Sequence, residues 1–123
     1  MKLFDLKCYE LLLKIQLKIF NYLVGGSLGI MMISWEDGVS ELWGALTVNL
    51  VHLQLGKDCA FIDVNNNGEE ILAWIVRNGL GTPTGRIAFN GYCAYLEYHF
   101  NMDILKKLDP EGYAEYLKRQ RIA

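Results

Sequence analysis

Between Glu10 and Phe20, apolar and polar side chains alternate. Leu11, Leu13, Ile15, Leu17 and Ile19 fall on one side, and Glu10, Lys14, Gln16 and Lys18 mainly on the other. Period two marks a half-buried strand. Leu12 and Phe20 interrupt the polar side, so that face is expected to be partly covered. Leucine and lysine also favour helix, but the alternation is cleaner than any 3.6-residue stripe, and the stretch is predicted as a strand. Asn21 to Ser27, with Gly25-Gly26, supplies a turn, and a second strand follows over about Leu28 to Trp35.

Trp35-Glu36-Asp37-Gly38 is a hairpin signal, because Asp-Gly suits the positive φ of a tight turn. A strand from Leu42 to Leu50 is expected to pair back and complete an antiparallel meander. Leu42, Leu46, Val48 and Leu50 share one face with Gly44, and Trp43, Thr47 and Asn49 lie opposite; Asn49 reads as a strand-end amide bonded to a loop. His52 to Asp58 is a connection and Cys59 to Val64 a short strand. Asp63-Val64-Asn65-Asn66-Asn67-Gly68 stops it with residues that bond their own main chain.

Glu69 to Asn78 is predicted as a helix with acids in its first turn and Gly79 past its end. Its apolar positions (Ile71, Leu72, Trp74, Ile75, Val76) are so broad that almost nothing is left for solvent. Gly79-Leu80-Gly81-Thr82-Pro83-Thr84-Gly85 reads as a loop. Arg86 to Phe89 and Tyr92 to Phe100 then flank Asn90-Gly91, the strongest hairpin dipeptide in the chain. Met102, Leu105 and Leu108 recur at helical spacing behind Asn101, and Asp109-Pro110-Glu111 opens a last helix by cap and first-turn proline. The expected fold class is α+β: an antiparallel sheet of about five to six strands, one central packed helix and a C-terminal helical hairpin, in a single domain over residues 1–123.

Composition narrows the function. A hydrophobic content of 52% with 21% charged residues supports a packed core and argues against disorder. Three cysteines, an odd number without CxxC spacing, read as reduced thiols of a cytoplasmic protein. The uncharged run Ile19 to Trp35 is short of the ~20 residues that a spanning helix needs and contains Asn21 and glycines. Asp5 and Glu10 argue against a signal peptide. No membrane association is therefore expected.

Net charge is −2, unevenly spread. Between Ser34 and Val76 stand seven acids (Glu36, Asp37, Glu41, Asp58, Asp63, Glu69, Glu70) against Lys57 alone. With no basic field, direct nucleic-acid binding is not expected. The acidic middle fits a basic protein partner, although turns and helix starts favour acids anyway.

Several constellations contain residue types that can carry chemistry. Asp63-x-Asn65-x-Asn67-Gly68 matches the first half of a calcium loop, but the twelfth position is Trp74 where a bidentate glutamate belongs, so a capped turn is the preferred reading and no metal is assigned. In the following glycine-rich loop, Thr82, Thr84 and Arg86 could hold a small anion, without the lysine of a P-loop. Cys93 and His99 share a strand face ~20 Å apart, too far to ligate one ion. No nucleophile–base spacing appears and His52 and His99 are isolated, so neither an enzyme nor a cofactor is expected.

The aromatic residues point elsewhere. Tyrosines and tryptophans exceed what one small core holds, and they dominate binding hot spots. The expected partner surface is Trp43, Tyr95, Tyr98 and the acidic turn Glu36-Asp37, binding another protein or a second copy as a homodimer.

Leu46-Thr47-Val48-Asn49-Leu50, Ala60-Phe61-Ile62-Asp63 with Asn65-Asn66-Asn67, Gly79-Leu80-Gly81-Thr82-Pro83-Thr84-Gly85-Arg86 and Asn90-Gly91-Tyr92-Cys93 occur here in this order. Together they resemble an uncharacterised domain-of-unknown-function family of small proteins from mobile elements and phages of Firmicutes and Bacteroidetes, over about Leu11 to Asn101. The resemblance implies no established activity, cofactor or catalytic residue. It does imply a small accessory or inhibitor factor that binds host or element machinery.

Overall fold

A computed structural model describes residues 1–122. The first strand precedes those expected: β1 (Phe4–Cys8) buries Phe4, Leu6 and Cys8 and exposes Asp5 and Lys7. It turns at Tyr9 and Glu10, both at positive φ, into β2 (Leu11–Asn21). The strand reading of β2 holds. β3 (Leu28–Glu36) and β4 (Val39–Ala45) follow, joined through Asp37 and Gly38 at φ 51° and 78°, as the Asp-Gly signal requires.

The expected single strand from Leu42 to Leu50 is two strands in two sheets. Met32 opposes Gly44 and Ile33 opposes Leu42, so Trp43 is the extra residue of a β-bulge. The bulge inverts the expected parity: Leu42 is 64% exposed, while Trp43 packs against the core. At Leu46, fully buried, the chain passes between layers, its N–H donating to the Ile30 carbonyl at 2.8 Å and its carbonyl accepting from Asp63 N at 3.0 Å. Beyond it β5 (Thr47–Val48) pairs with β6 (Cys59–Ile62).

α1 (Val64–Asn67) and α2 (Glu70–Arg77) come next, then β7 (Gly81–Asn90), β8 (Cys93–Phe100), α3 (Met102–Leu108) and α4 (Pro110–Ile122). The loop expected over Gly79 to Gly85 is mostly strand: β7 starts at Gly81, and its register against β8 slips between Pro83 and Ile87. Proline is tolerated there because β7 is an edge strand. α2 buries Ile71, Trp74 and Ile75 but leaves Ala73, Val76 and Arg77 in solvent, a narrower apolar face than expected.

The architecture is α+β with two antiparallel four-stranded sheets, ordered β1-β2-β3-β4 and β5-β6-β8-β7, in place of one sheet of five or six strands. The main core lies between them and the helices, around Ile15, Leu17, Ile30, Met32, Trp74 and Phe100. A smaller cluster of Phe61, Ala88 and Tyr95 lies apart from it, packed by Val48, Leu50 and Leu55. The caps read from sequence are in place: Asn101 accepts from Ile104 N at 3.3 Å, and Asp109 from Gly112 N at 3.1 Å.

Candidate functional site

The inner face of the first sheet is longer than the layer that covers it. Along β2, Ile15, Leu17 and Ile19 are buried, Leu13 is half-buried and Leu11 is 50% exposed. Along β3 the same face passes from buried Leu28, Ile30 and Met32 to half-buried Ser34 and exposed Glu36. On β4 it carries Trp43, then Glu41, then Val39 at 69% exposure. The result is a groove of about 590 Å³ lined by the apolar Leu11, Leu13, Val39 and Trp43, with Glu36, Asp37 and Glu41 outnumbering Lys14 among its charged residues. The same end carries Asp5 and Glu10, and Lys14 is paired with Asp5. Five acids thus face two lysines, Lys7 and Lys14, at this end of the sheet.

Three residues of the expected partner surface, Glu36, Asp37 and Trp43, therefore line one groove. Tyr95 and Tyr98 do not. They are 7% and 4% exposed, and β8 is covered on both faces: Tyr98 belongs to the main core and Tyr95 to the smaller cluster. Burial pushes both phenols above their ordinary value. Alternation along β8 identified two faces but could not reveal that both are packed. Leu11, Leu13, Val39 and Glu41 were missed, since only the pairing of β2, β3 and β4 brings them together.

Thr84 and Arg86, expected to hold an external anion, hold an internal one. The buried Glu97 carboxylate accepts from the Thr84 hydroxyl at 2.7 Å and from Gly56 N at 3.2 Å, and lies 3.4 Å from the Arg86 guanidinium. Arg86 also donates to the Gln54 carbonyl and lies over the Phe61 ring. Thr82 is elsewhere, opposite His99 in the ladder. Glu97 was passed over, although an acid among Tyr95, Tyr98 and Phe100 was its visible signal.

The Asp63–Gly68 turn is a cap. Asp63 Oδ1 accepts from Asn66 N at 3.1 Å and Oδ2 from Asn66 Nδ2 at 2.7 Å, while Asn67 Nδ2 donates to the Ala45 and Asp63 carbonyls. The two bonds from Asn66 occupy both Asp63 carboxylate oxygens, which a calcium loop would direct at an ion. Among the described residues no three His, Cys, Asp or Glu side chains cluster with metal-holding geometry. His52 and His99 line separate cavities. The Cys59 thiol is pushed up to about 11, by burial first and then by Glu97 and Asp58, and Cys8 is raised by burial and Glu70. Neither is poised as a nucleophile at neutral pH.

A family model for a domain of unknown function, DUF4313, matches residues 16–120. The chain belongs to this family. The match runs past the expected Asn101 limit through α3 and into α4, and it begins within β2. The DUF4313 region thus contains Glu36, Asp37, Glu41 and Trp43, whereas Leu11 and Leu13 precede it. No curated protein and no solved structure gives a match. No described helix is long and apolar enough to cross a membrane.

Proposed function

We propose that this chain is a non-enzymatic protein-interaction module that recognises a basic partner through the open end of its first sheet. The observation that carries the reading is the continuation of the core-facing side of β2, β3 and β4 into an uncovered groove with a surplus of acidic residues. Exposed apolar surface framed by polar residues is the usual composition of a recognition site. Trp43 supplies a large, partly buried anchor of the type that dominates binding energies. Glu36, Asp37 and Glu41 favour a cationic partner and disfavour an acidic one. The setting we propose, supported by the resemblance to small proteins of mobile elements and phages, is an accessory or inhibitor factor acting in the cytoplasm on host or element machinery.

Affinity purification of the tagged wild-type chain beside a Trp43→Ala, Glu36→Lys, Asp37→Lys variant tests the reading. A basic protein recovered in stoichiometric amount with the wild type and lost with the variant is the expected result. Equal recovery with both chains places recognition on another face. Recovery of no protein with either counts against an interaction role.

A further inference from the structure

We infer that the partner binds as an extended segment added to the free edge of β4, with alternate side chains in the order apolar, basic, apolar. This deepens the proposed function and rests on it. β4 ends the sheet order, so the side away from β3 has no strand partner. Glu36 and Val39 close the two-residue hairpin as a bonded pair, and bonded and non-bonded pairs then alternate along the ladder. Ser40, opposite Trp35, and Leu42, opposite Ile33, are the non-bonded positions, so their N–H and C=O groups turn toward the open edge. Among the described residues no side chain bonds the Ser40 or Leu42 amide.

The side chains of β4 supply the rest. Val39, Glu41 and Trp43 point into the groove in succession, apolar, acidic, apolar. A strand laid beside them sets its own alternate side chains directly opposite, where matched apolar pairs and opposite charges stabilise and like charges destabilise. The complement is an apolar residue, a lysine or arginine two positions on, and a second apolar residue two beyond that. Charge decides against a second copy of this chain: pairing about Glu41 would set carboxylate against carboxylate, with Glu36 and Asp37 of both copies close by.

The test is selection of a display library of linear peptides on the full chain, followed by hydrogen exchange on the chain with a selected peptide. Peptides with lysine or arginine flanked by apolar residues at alternate positions are expected, and Glu41→Lys should weaken them by at least about tenfold. Exchange of the Ser40 and Leu42 amides should slow by on the order of tenfold in the complex. Both amides are read in the wild type, so the result does not depend on a variant folding. Peptides with apolar residues at helical spacing, or unprotected amides in a complex that Glu41→Lys and Trp43→Ala still abolish, overturn strand addition and leave the recognition surface standing. If nothing selected depends on Glu36, Glu41 or Trp43, both readings fall.

Discussion

The two edges of the first sheet are finished differently. On one side β1 stops at Phe4 opposite Ile15, and β2 continues without a strand partner. Protein covers that side. Trp74 from α2 donates to the Asp5 carbonyl of β1 at 2.7 Å, and the buried Asp109 carboxylate, at the start of α4, accepts the Ile19 N–H at 2.8 Å. Two side chains thus take backbone groups that a missing strand would have bonded. On the other side β4 keeps its free amides and shows Val39 and Leu42 to solvent. Exposed edges invite pairing with other chains, and native proteins usually cover or charge them. One edge is closed by the fold; the other is open, and in the proposed reading its charge selects the partner that closes it.

Breaking the closed edge should cost most. Trp74 is almost fully buried, packs edge-on against Phe4 with ring centroids 5.9 Å apart, and carries the bond to Asp5. Trp74→Ala should remove about 4 kcal/mol of stability, read by urea unfolding. Asp109→Ala follows at about 3 kcal/mol, because it orphans the Ile19 amide in a buried place and uncaps α4. A loss below 1 kcal/mol, on the order of a surface change, would show that α4 covers β2 without this clamp. Gly112 belongs to the same device, since a Cβ there would collide with the Asp109 carboxylate and the Ile19 carbonyl.

High pH should loosen the same side. Burial and Asp58 raise the Tyr116 phenol of α4 well above its ordinary value, and burial, Glu97 and Asp58 raise Cys59 from 9.0 to about 11. Both groups are neutral when protonated, so their raised folded values mean that the unfolded chain loses its protons first. Their contribution is fully present below pH 9 and is lost as pH rises toward 11 and beyond. The thiol alone accounts for on the order of 2 kcal/mol. Urea midpoints measured upward from neutral pH should fall in this window, and Tyr116→Phe with Cys59→Ala should flatten the slope.

These contrasts mark how far local sequence reaches. Period-two alternation gave β2, Asp37-Gly38 gave the β3–β4 hairpin, and Asn101 and Asp109 gave the helix starts, because each signal lies within a few residues of its effect. β1 escaped because it is five residues long and turns through Tyr9 and Glu10, with no glycine or asparagine to announce the turn. The split at Leu46 and the bulge at Trp43 are set by competition between two sheets for one segment, which no single-strand pattern encodes. The site divides in the same way. Glu36, Asp37 and Trp43 were legible from one hairpin. Leu11 and Leu13 join them only through strand pairing, and Tyr95 and Tyr98 leave because a second layer covers them.

Trp43 lies between the two regimes. It is partly buried against the core, so Trp43→Ala should cost about 1 kcal/mol in stability, well under the Trp74 value, while removing the anchor of the proposed interface. A loss as large as that at Trp74 would make Trp43 a core residue and weaken the recognition reading.

The smallest effect is the sharpest statement about the open edge. Val39 and Leu42 are 69% and 64% exposed, so Val39→Thr with Leu42→Thr gives up little buried apolar area and leaves a strand-favouring β-branched residue at both positions. Urea unfolding should place the double variant within about 0.5 kcal/mol of the wild type. The same variant should bind selected peptides more weakly, because apolar contact at Val39 is lost while the free amides remain. A chain destabilised by several times that amount would mean that these side chains already serve the fold. The edge of β4 would then be closed from within, and its contrast with the clamped edge of β2 would disappear.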